Sequence, residues 1–327
     1  MTELLAVDGG GTSTRSVVVD GSGRCLGRGR SGSGNPVSAG PERSAASIVA
    51  SASEALAEAG VPAVRLGLIV LAVAGTGSGS HRDELRRRLA DAGLRARVVF
   101  ESDLLAMFAA GTHRTEGYAV VAGTGAAAIR VEGGRQVAVT DGLGWLLGDD
   151  GSGFWIGRRV ARAALAELDG RGPVTLLTPL VLRHLGLDAP AADRRVTLTA
   201  AVRRVYADRP VRLAELARLA FEVGDDPVAA EIVSGAVEAL ARSLRAVAVP
   251  HVPGPVVLGG SILAHHPELG GTVAGAVAHG GSPVETHVVG DGLAGAAVLA
   301  LRHAGLAVDE PTHRRLTSSL PALLPDS

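Results

Sequence analysis

The sequence predicts an α/β protein of two domains, each with a mixed five-stranded sheet flanked by helices, and with a cleft between the domains. Two observations predict this fold. First, one pattern occurs twice: a short apolar run enters a Gly/Thr turn and a second apolar run follows, at Gly9–Thr12 and again at Gly123–Gly125. Such runs on both sides of a turn indicate a hairpin. Second, strands and helices alternate after each hairpin, and the 327 residues suit two domains of about 150 residues each.

The first half begins with three strands, which are followed by alternating helices and strands. The predicted elements are strands 4–7, 17–19 and 24–28, helix 41–58, strand 66–74, helix 81–91, strand 97–100 and helix 103–110. A glycine follows each of these helices and marks its end: Gly60, Gly93 and Gly111. The alternation predicts parallel pairing, whereas the leading hairpin adds an antiparallel part.

The second half repeats this order. Its predicted elements are strands 118–122, 127–131 and 136–140, a helical insertion over 154–248 with breaks at 170–173, 189–190 and 210, strand 255–258, helix 272–278, strand 284–289 and helix 293–303. The sequence leaves one alternative open, namely two unrelated α/β domains that both begin with a hairpin.

These elements divide the chain at residue 115. We expect an N-terminal domain over 1–115 and a C-terminal domain over 116–291, which carries the insertion. A helix over 292–305 is expected to pack back on the first domain. Residues 306–327 contain three prolines and small polar residues, so we expect a loosely ordered tail.

Composition excludes several classes of protein. The chain has 46% hydrophobic residues and a net charge of −1. It therefore lacks the excess of positive charge that is typical of proteins that bind nucleic acid or a membrane surface. No apolar run reaches the roughly 20 residues of a membrane span. The first predicted strand follows Met1 too closely for a secretory signal. We therefore expect a cytoplasmic protein with neither nucleic-acid nor membrane partners.

Two residue types are scarce or absent. Cys25 is the only cysteine, which excludes an internal disulfide and is too few thiols for an iron–sulfur or structural zinc site. The sequence contains no lysine. A P-loop lysine and a Schiff-base mechanism are therefore both excluded.

The first turn has the composition of a phosphate-binding loop. Its glycines resemble a dinucleotide fingerprint, but that fingerprint needs a helix directly afterwards, and the β-branched run 17–19 follows instead. As a hairpin tip, Gly10 and Gly11 offer backbone N–H groups to phosphate oxygens, and the Thr12 hydroxyl adds a further donor. Asp8 at the strand end is suited to hold Mg²⁺ through water. The alternative is a plain tight turn.

Two further glycine-rich segments, at 123–125 and 259–261, are candidates for contact with a nucleotide. Gly123, Thr124 and Gly125 occupy the matching turn of the second half, where a second set of N–H groups would complete a clamp for a polyphosphate. The strand before Gly259 ends in two glycines, and such an end lets a flat ligand approach the backbone. An adenine-ribose contact at Gly259, Gly260 and Ser261 is one interpretation, and a simple strand-to-loop turn is the other.

Carboxylates supply the candidates for catalysis and substrate binding. Asp103 follows a strand at the edge where open α/β sheets bind ligands, so we interpret it as a general base, as an N-cap or as both. The stretch 142–155 contains both tryptophans and five glycines. There, Asp149 beside Gly144 and Trp145 suits a polyhydroxylated ligand, or the acids simply cap a helix. Asn35 lies in a loop and could read a substrate hydroxyl or acyl group.

These motifs, in this order, resemble the N-acetylglucosamine kinase and BadF/BadG-type ATPase family of the acetate and sugar kinase, heat-shock chaperone and actin superfamily. The resemblance runs from residue 4 to about 304. It is carried by residues 8–12, 34–35, 103, 123–125, 148–152 and 258–261.

The resemblance implies two ribonuclease-H-like (actin-like ATPase) domains with ATP in the cleft, and an ATP-dependent sugar kinase. We also expect Mg²⁺ as a cofactor and a homodimer. The resemblance also implies that Asp103 is the base for the 6-hydroxyl of N-acetylglucosamine or a related amino sugar. The turns would bind the phosphates, and Asn35 and Asp149 would contact the sugar.

Two departures from the family pattern leave the substrate open. Leu143 stands where such kinases have a tryptophan between two glycines, and Ala126 replaces the usual serine after Gly-Thr-Gly. The sequence therefore also admits a kinase for a different hexose, polyol or aminoglycoside. It further admits a nucleotide-binding regulatory switch of the same fold. A third rival, the redox ATPases that activate dehydratases, needs more thiols than Cys25 supplies.

Overall fold

The structure, a computed structural model, describes residues 3–75, 79–187, 194–278 and 283–320. It contains two five-stranded sheets. The strands of the first sheet are β1 Glu3–Gly9, β2 Thr14–Val19, β3 Cys25–Ser31, β4 Leu66–Val73 and β5 Arg97–Glu101. Those of the second sheet are β6 Gly117–Ala122, β7 Ala126–Glu132, β8 Arg135–Asp141, β9 Val256–Gly259 and β10 Thr286–Val289.

The two sheets share one topology. Their strand orders are β3-β2-β1-β4-β5 and β8-β7-β6-β9-β10. In each sheet the first three strands in sequence pair antiparallel, and the last two pair parallel beside the first. The predicted fold class and the duplication are therefore confirmed, and two unrelated domains are excluded. Both glycine-rich turns join the first two strands of their sheets.

Helices cover the faces of both sheets. In the first half they are α1 Pro36–Ala39, α2 Pro41–Ala59, α3 Gly79–Asp91 and α4 Asp103–Gly111. In the second half they are α5 Gly153–Leu168, α6 Leu177–His184, α7 Arg194–Ala207, α8 Leu219–Glu222, α9 Pro227–Val247, α10 Gly260–His265, α11 Pro267–Ala274, α12 Leu293–His303 and α13 Glu310–Ser319. Three 3₁₀ turns cover Ala63–Arg65, Pro210–Leu216 and Gly275–Val277.

Helices α4 and α12 form the layer between the two sheets. One apolar cluster contains buried residues from β1 and β4, from α4 and α12, and from β6, β7 and β9. The two helices approach closely because Gly295 has no side chain: a Cβ there would lie 1.7 Å from the Ala106 carbonyl oxygen. Helix α12 also packs against β1 and β4 of the first sheet. The two sheets are thus held around a common core. This core fixes the position of α4, at whose start the candidate residue Asp103 lies.

The insertion forms the cover of the second sheet. Helices α5 and α9 pack on one another, and their buried faces join β6 and β9 in the largest apolar cluster. The predicted break at 170–173 separates α5 from α6, and the predicted break at 210 begins a 3₁₀ turn. The predicted break at 189–190 lies outside the described residues.

The structure corrects the predicted tail and three local details. Within the predicted tail, residues 310–319 form α13, because Asp309 caps the helix and Leu316 is fully buried, and residues 321–327 lie outside the described residues. Helix α10 begins directly after β9, where a loop was one interpretation. The helix predicted over 272–278 instead covers 267–274, because Pro267 starts it. A short helix, α1, follows Asn35 in the predicted loop. None of the described helices is long and apolar enough to cross a membrane.

Candidate functional site

The first glycine-rich turn is closed by its own backbone. The Gly10 N–H donates to the Ser13 carbonyl at 2.9 Å, and the Gly10 carbonyl accepts from the N–H groups of Gly34 at 3.1 Å and Asn35 at 3.2 Å. These bonds tie the turn to the loop before α1. Gly11 and Thr12 are exposed at its tip. The turn is therefore rigid, while its tip remains open to a ligand.

Packing explains some of the glycines but not those at the tip. A Cβ on Gly9 would lie 2.9 Å from a Val73 methyl, so the fold itself requires glycine there. A Cβ on Gly11 would meet nothing within 4 Å, and one on Gly10 only an oxygen at 3.5 Å. Neither Gly10 nor Gly11 has a positive φ. Their lack of a side chain therefore suits the close approach of a ligand to the backbone.

Three carboxylates surround the end of β1. Asp8 Oδ2 accepts a hydrogen bond from the Gly292 N–H at 3.2 Å. The pKa of Asp8 is raised to about 7, first by burial and then by the negative charges of Asp291 and Asp103. Arg15, which pairs with Asp8 across β1 and β2, forms an ion pair with Asp291 at 3.0 Å. The site thus concentrates negative charge around Asp8, with one arginine beside it.

This arrangement fits a magnesium ion held together with a substrate. Within the described ranges of the chain, no group of three His, Cys, Asp or Glu side chains is placed to enclose a metal ion. Mg²⁺ is usually held by one or two carboxylates, while waters and substrate phosphates complete its coordination. A cation near Asp8 would also relieve the repulsion from Asp103 and Asp291 that raises its pKa. Asp8 is therefore the residue best suited to hold Mg²⁺.

Asp103 lies at the start of α4, but it is not the N-cap. Ser102 has that role, since its hydroxyl accepts from the Leu105 N–H at 3.4 Å. The N-cap interpretation of Asp103 is therefore wrong: the residue is in the first turn, where the helix dipole favours an acid. Burial raises the pKa of the Asp103 carboxyl, and the backbone N–H of Leu104 partly opposes this shift. A desolvated carboxylate with a raised pKa is suited to accept a proton.

The second turn lies against the end of β9. The Gly123 N–H donates to the Gly125 carbonyl at 2.9 Å, and Thr124 is exposed. Gly260 has φ +84, and a Cβ there would lie 2.5 Å from the Ala122 carbonyl. A Cβ on Gly123 would lie 4.0 Å from the backbone nitrogen of Ser261. The structure thus brings together residues 123–125 and residues 259–261, the two glycine-rich segments of the second domain that the sequence analysis interprets as nucleotide-binding.

Helix α5 begins against the second turn. Its Gly153 and Phe154 N–H groups donate to the carbonyls of Gly123 at 2.7 Å and Thr124 at 3.2 Å. The Ser152 hydroxyl caps the helix by accepting from the Trp155 N–H at 3.1 Å. The position of the turn is therefore fixed by a helix, just as the first turn is fixed by the loop before α1.

Helix α4 connects the two sets of candidate residues. Asp103, at its start, interacts electrostatically with Asp8. One turn later, the Met107 side chain packs against Gly259 at the end of β9. The contact is so close that a Cβ on Gly259 would lie 2.5 Å from the Met107 Cγ. On the other side, the insertion reaches the first domain, where the Arg209 guanidinium donates to the Ser38 carbonyl at 3.1 Å.

Asn35 lies at the same edge of the first sheet as Asp8. Its Oδ1 accepts from the Val37 N–H at 2.8 Å and caps α1. The side chain lies over Gly75, just beyond the end of β4, where a Cβ would be 2.8 Å from Oδ1. Among the described residues, the Asn35 NH₂ has no hydrogen-bond partner. It therefore remains available to donate to a ligand.

Asp149 is directed into the second domain. Its backbone has φ 58°, and its Oδ1 accepts from the Ala126 N–H at 3.2 Å. A Cβ on Gly125 would lie 2.8 Å from this carboxylate, so the second turn requires glycine there. Burial is the main cause that raises the pKa of Asp149. Ala126, one of the two departures, has a buried methyl and supplies its N–H to Asp149.

Trp145 and Gly144 lie on a more exposed part of the same loop. Trp145 is 41% exposed and packs against Phe154 at 5.4 Å between ring centroids. It lines a groove of about 280 Å³ whose walls come from residues 145–162. The structure thus places Trp145 beside α5 in this groove, and the groove contains no residue of the first sheet. Leu143 is 66% exposed.

Three residues of this region were missed in the sequence. Arg15 follows the first turn and lies opposite Asp8 only because the strands pair. Asp291 is flanked by glycines before α12, a composition that resembles the other candidate loops. Asp141 ends β8, and its carboxylate accepts from the N–H groups of Asp149 and Asp150 at 2.7 and 2.9 Å. No sequence signal indicates this last contact.

Curated proteins similar to this chain are named as sugar kinases. Among curated relatives, the glucosamine kinase GspK of Vibrio cholerae is 29% identical over 193 residues, which cover 58% of this chain and 63% of that protein. The N-acetyl-D-glucosamine kinase of Dictyostelium discoideum is 28% identical, with 56% and 60% covered. The chain thus spans less than two thirds of the length of these curated relatives.

Solved structures share the fold over nearly the whole chain. A candidate N-acetylglucosamine kinase of Chromobacterium violaceum has a TM-score of 0.69 and 25% identity, with 92% of this chain and 99% of that chain covered. The ROK hexokinase of Thermus thermophilus has a TM-score of 0.55 and 22% identity, with 93% and 99% covered. The second likeness shows the fold alone. A family model described as the BadF/BadG/BcrA/BcrD ATPase family matches residues 5–300. The chain therefore belongs to the BadF/BadG/BcrA/BcrD ATPase family.

Proposed function

We propose that this protein is an ATP- and Mg²⁺-dependent sugar kinase that phosphorylates the 6-hydroxyl of N-acetylglucosamine or a related amino sugar. The observation that supports this proposal is the partly buried Asp103 carboxylate at the start of α4, whose pKa is raised by desolvation and which interacts electrostatically with Asp8. Two curated relatives are named as kinases of glucosamine and N-acetyl-D-glucosamine. Sugar and ATP are the proposed partners, and the homodimer and the cytoplasmic location stay predictions.

The reaction requires one proton transfer and one phosphoryl transfer. The Asp103 carboxylate accepts the proton of the sugar hydroxyl as its oxygen forms a bond to the γ-phosphorus of ATP. The bond from that phosphorus to the bridging oxygen breaks, and ADP leaves. Such transfer depends mainly on alignment and on neutralised charge. Magnesium, when bound at Asp8, would supply part of that neutralisation.

The remaining residues bind and orient the substrates. The Gly11 N–H is proposed to bind the phosphates, since the N–H groups of Gly10 and Gly123 already donate to the Ser13 and Gly125 carbonyls. Thr12 and Thr124 add exposed hydroxyls. Because the sequence has no lysine, backbone donors and an arginine must take its place.

The sugar and the adenosine have separate proposed positions. Asn35 donates its free NH₂ to the sugar, and Asp149 accepts from a sugar hydroxyl. The Gly144–Trp145 segment is proposed to shield the sugar. Gly260 and Ser261 are proposed to contact the adenosine, since they adjoin the second turn.

The test is ATP consumption over a panel of hexoses, amino sugars and N-acyl amino sugars. We expect turnover that depends on an amino sugar. Asp103→Asn should lower kcat by about 10²-fold, the scale for loss of a general base, and leave the KM for ATP unchanged. ATP hydrolysis that is slow and independent of sugar would instead favour the regulatory switch. Unchanged turnover of Asp103→Asn would remove Asp103 from the mechanism.

A further inference from the structure

Two strained residues bound the loop that carries the candidate sugar-binding acid. Among the described residues, Asp141 with φ 64° and Asp149 with φ 58° are the non-glycine residues in the left-handed region. They lie on either side of residues 142–148. Aspartate adopts this region more readily than most residues, but at a cost. Such backbone strain persists only where the surrounding structure enforces it.

The Asp141 carboxylate supplies that enforcement. Its Oδ1 accepts from the Asp149 N–H at 2.7 Å, and its Oδ2 accepts from the Asp150 N–H at 2.9 Å. Both oxygens are thus used to join the two ends of the loop. The fit leaves no room for a side chain at Gly148, where a Cβ would lie 2.2 Å from the Asp141 Oδ1. Charged acceptors make stronger hydrogen bonds than neutral ones.

The clamp determines where the Asp149 side chain is directed. With its N–H held by Asp141, Asp149 turns its carboxylate toward the second glycine-rich turn, where Oδ1 accepts from the Ala126 N–H at 3.2 Å. The backbone N–H of Gly144, in the same loop, also hydrogen-bonds to the Asp149 carboxylate. The carboxylate is therefore held by the second turn and by loop 142–150 together, and its remaining lone pairs can accept from a ligand.

We propose that Asp141 is a positioning residue: its carboxylate holds loop 142–150 in the conformation that presents Asp149 to the sugar. This inference rests on the proposed function, since it assumes that Asp149 binds the substrate. Asp141 itself does not touch the sugar. It acts through the backbone of Asp149 and Asp150.

The variant that tests this inference is Asp141→Asn. Asparagine tolerates the left-handed region and keeps the size of the side chain, but it places an NH₂ group against one of the two N–H donors. We expect the KM for the amino sugar to rise at least about tenfold, which corresponds to ~1.4 kcal/mol, while the KM for ATP stays within about twofold.

Asp20→Asn is the matched control. The Asp20 carboxylate also accepts two backbone N–H groups, from Ser22 at 2.8 Å and Arg24 at 3.1 Å. It lies in the turn between β2 and β3, at the opposite end of the sheet from the Gly10–Thr12 turn. Both variants remove the negative charge of an acceptor of backbone hydrogen bonds, so both can lower Tm. Asp20 accepts its two N–H groups at Oδ1 alone, so Asp20→Asn keeps an oxygen for them. Asp141→Asn alone should change the sugar KM, and an equal change in both variants would overturn the inference.

Amide hydrogen exchange tests the clamp without any activity. In Asp141→Asn, peptides that contain the Asp149 and Asp150 amides should exchange at least about tenfold faster than in the wild type. Unchanged exchange would overturn the inference, and so would faster exchange with an unchanged sugar KM. If the wild type shows no turnover with any amino sugar, the proposed function fails, whereas exchange still decides whether Asp141 holds the loop.

Discussion

Replacement of Asp8 should raise the stability of the fold and abolish the Mg²⁺-dependent activity at the same time. The pKa of Asp8 is raised to about 7 because the carboxylate is buried and because Asp291 and Asp103 lie near it. The Gly292 N–H and Arg15 oppose this shift without cancelling it. Asp8→Asn removes the charge and keeps an oxygen that accepts from Gly292. In the absence of divalent cations, we therefore expect the variant to be more stable than the wild type.

The size of the effect follows from the pKa difference. A shift from 3.8 to about 7 corresponds to ~4 kcal/mol for a fully formed charge at about 1.36 kcal/mol per pKa unit. Salt and the solvent-accessible edge of the carboxylate reduce this value, so we expect ~2 kcal/mol. Because the folded protein holds the proton more tightly than the unfolded chain, the stability of the wild type falls as the pH rises. The loss begins near pH 4 and levels off above about pH 7.

Thermal unfolding in EDTA at pH 5 and pH 8 measures this difference. At pH 8, Asp8→Asn should raise Tm by about 3 °C or more, and the gain should shrink at pH 5. The same variant should lose Mg²⁺-dependent turnover. As a control, Asp20→Asn removes a carboxylate whose pKa is lowered by hydrogen bonds that outweigh its burial, so it should lower Tm at pH 8. If Asp8→Asn unfolds at or below the wild-type Tm at pH 8, the electrostatic reasoning is wrong.

Three other substitutions test the phosphate side of the site. Arg15→Gln breaks a partly exposed ion pair with Asp291, so it should cost less than about 1 kcal/mol of stability but lower kcat at least about tenfold. A large fall in Tm with unchanged kcat would contradict this role. Gly11→Ala should leave Tm unchanged and raise the KM for ATP. Gly34→Ala should destabilise the fold by about 1–3 kcal/mol, because its Cβ would lie 2.7 Å from the Thr14 Oγ1. Equal Tm values for Gly11→Ala and Gly34→Ala would refute the inference that packing requires glycine at position 34 but not at position 11.

The sequence predicts the duplicated topology because the signals for it are local. The apolar runs around each glycine-rich turn fix a hairpin, and the alternation that follows fixes parallel pairing beside it. The structure confirms both features in the matching orders of the two sheets. Helix ends are less certain from sequence, because neighbouring residues compete for the same role. At α4, Ser102 and Asp103 are both good N-caps, and only the fold selects Ser102.

Long-range contacts account for what the sequence does not predict. The tail is ordered over 310–319 because Leu316 enters the core beside α12, and no local pattern indicates that partner. Arg15 gains its importance from strand pairing. The Asp141 carboxylate accepts a hydrogen bond from the N–H of Asp149, eight residues later. The loop conformation that allows this bond has both residues in the left-handed region. Each of these features requires coordinates.

The glycines show how structure sharpens a functional motif. In sequence, the glycines of the two turns look equivalent, yet their neighbours differ. Gly9 and Gly125 are required by contacts with Val73 and Asp149, so the fold alone explains them. Gly10, Gly11 and Gly123 have ordinary φ values and no close neighbour that forbids a Cβ. The glycines that packing does not require lie in matching turns of two equivalent sheets, as expected if a ligand and not the fold demands bare backbone at both.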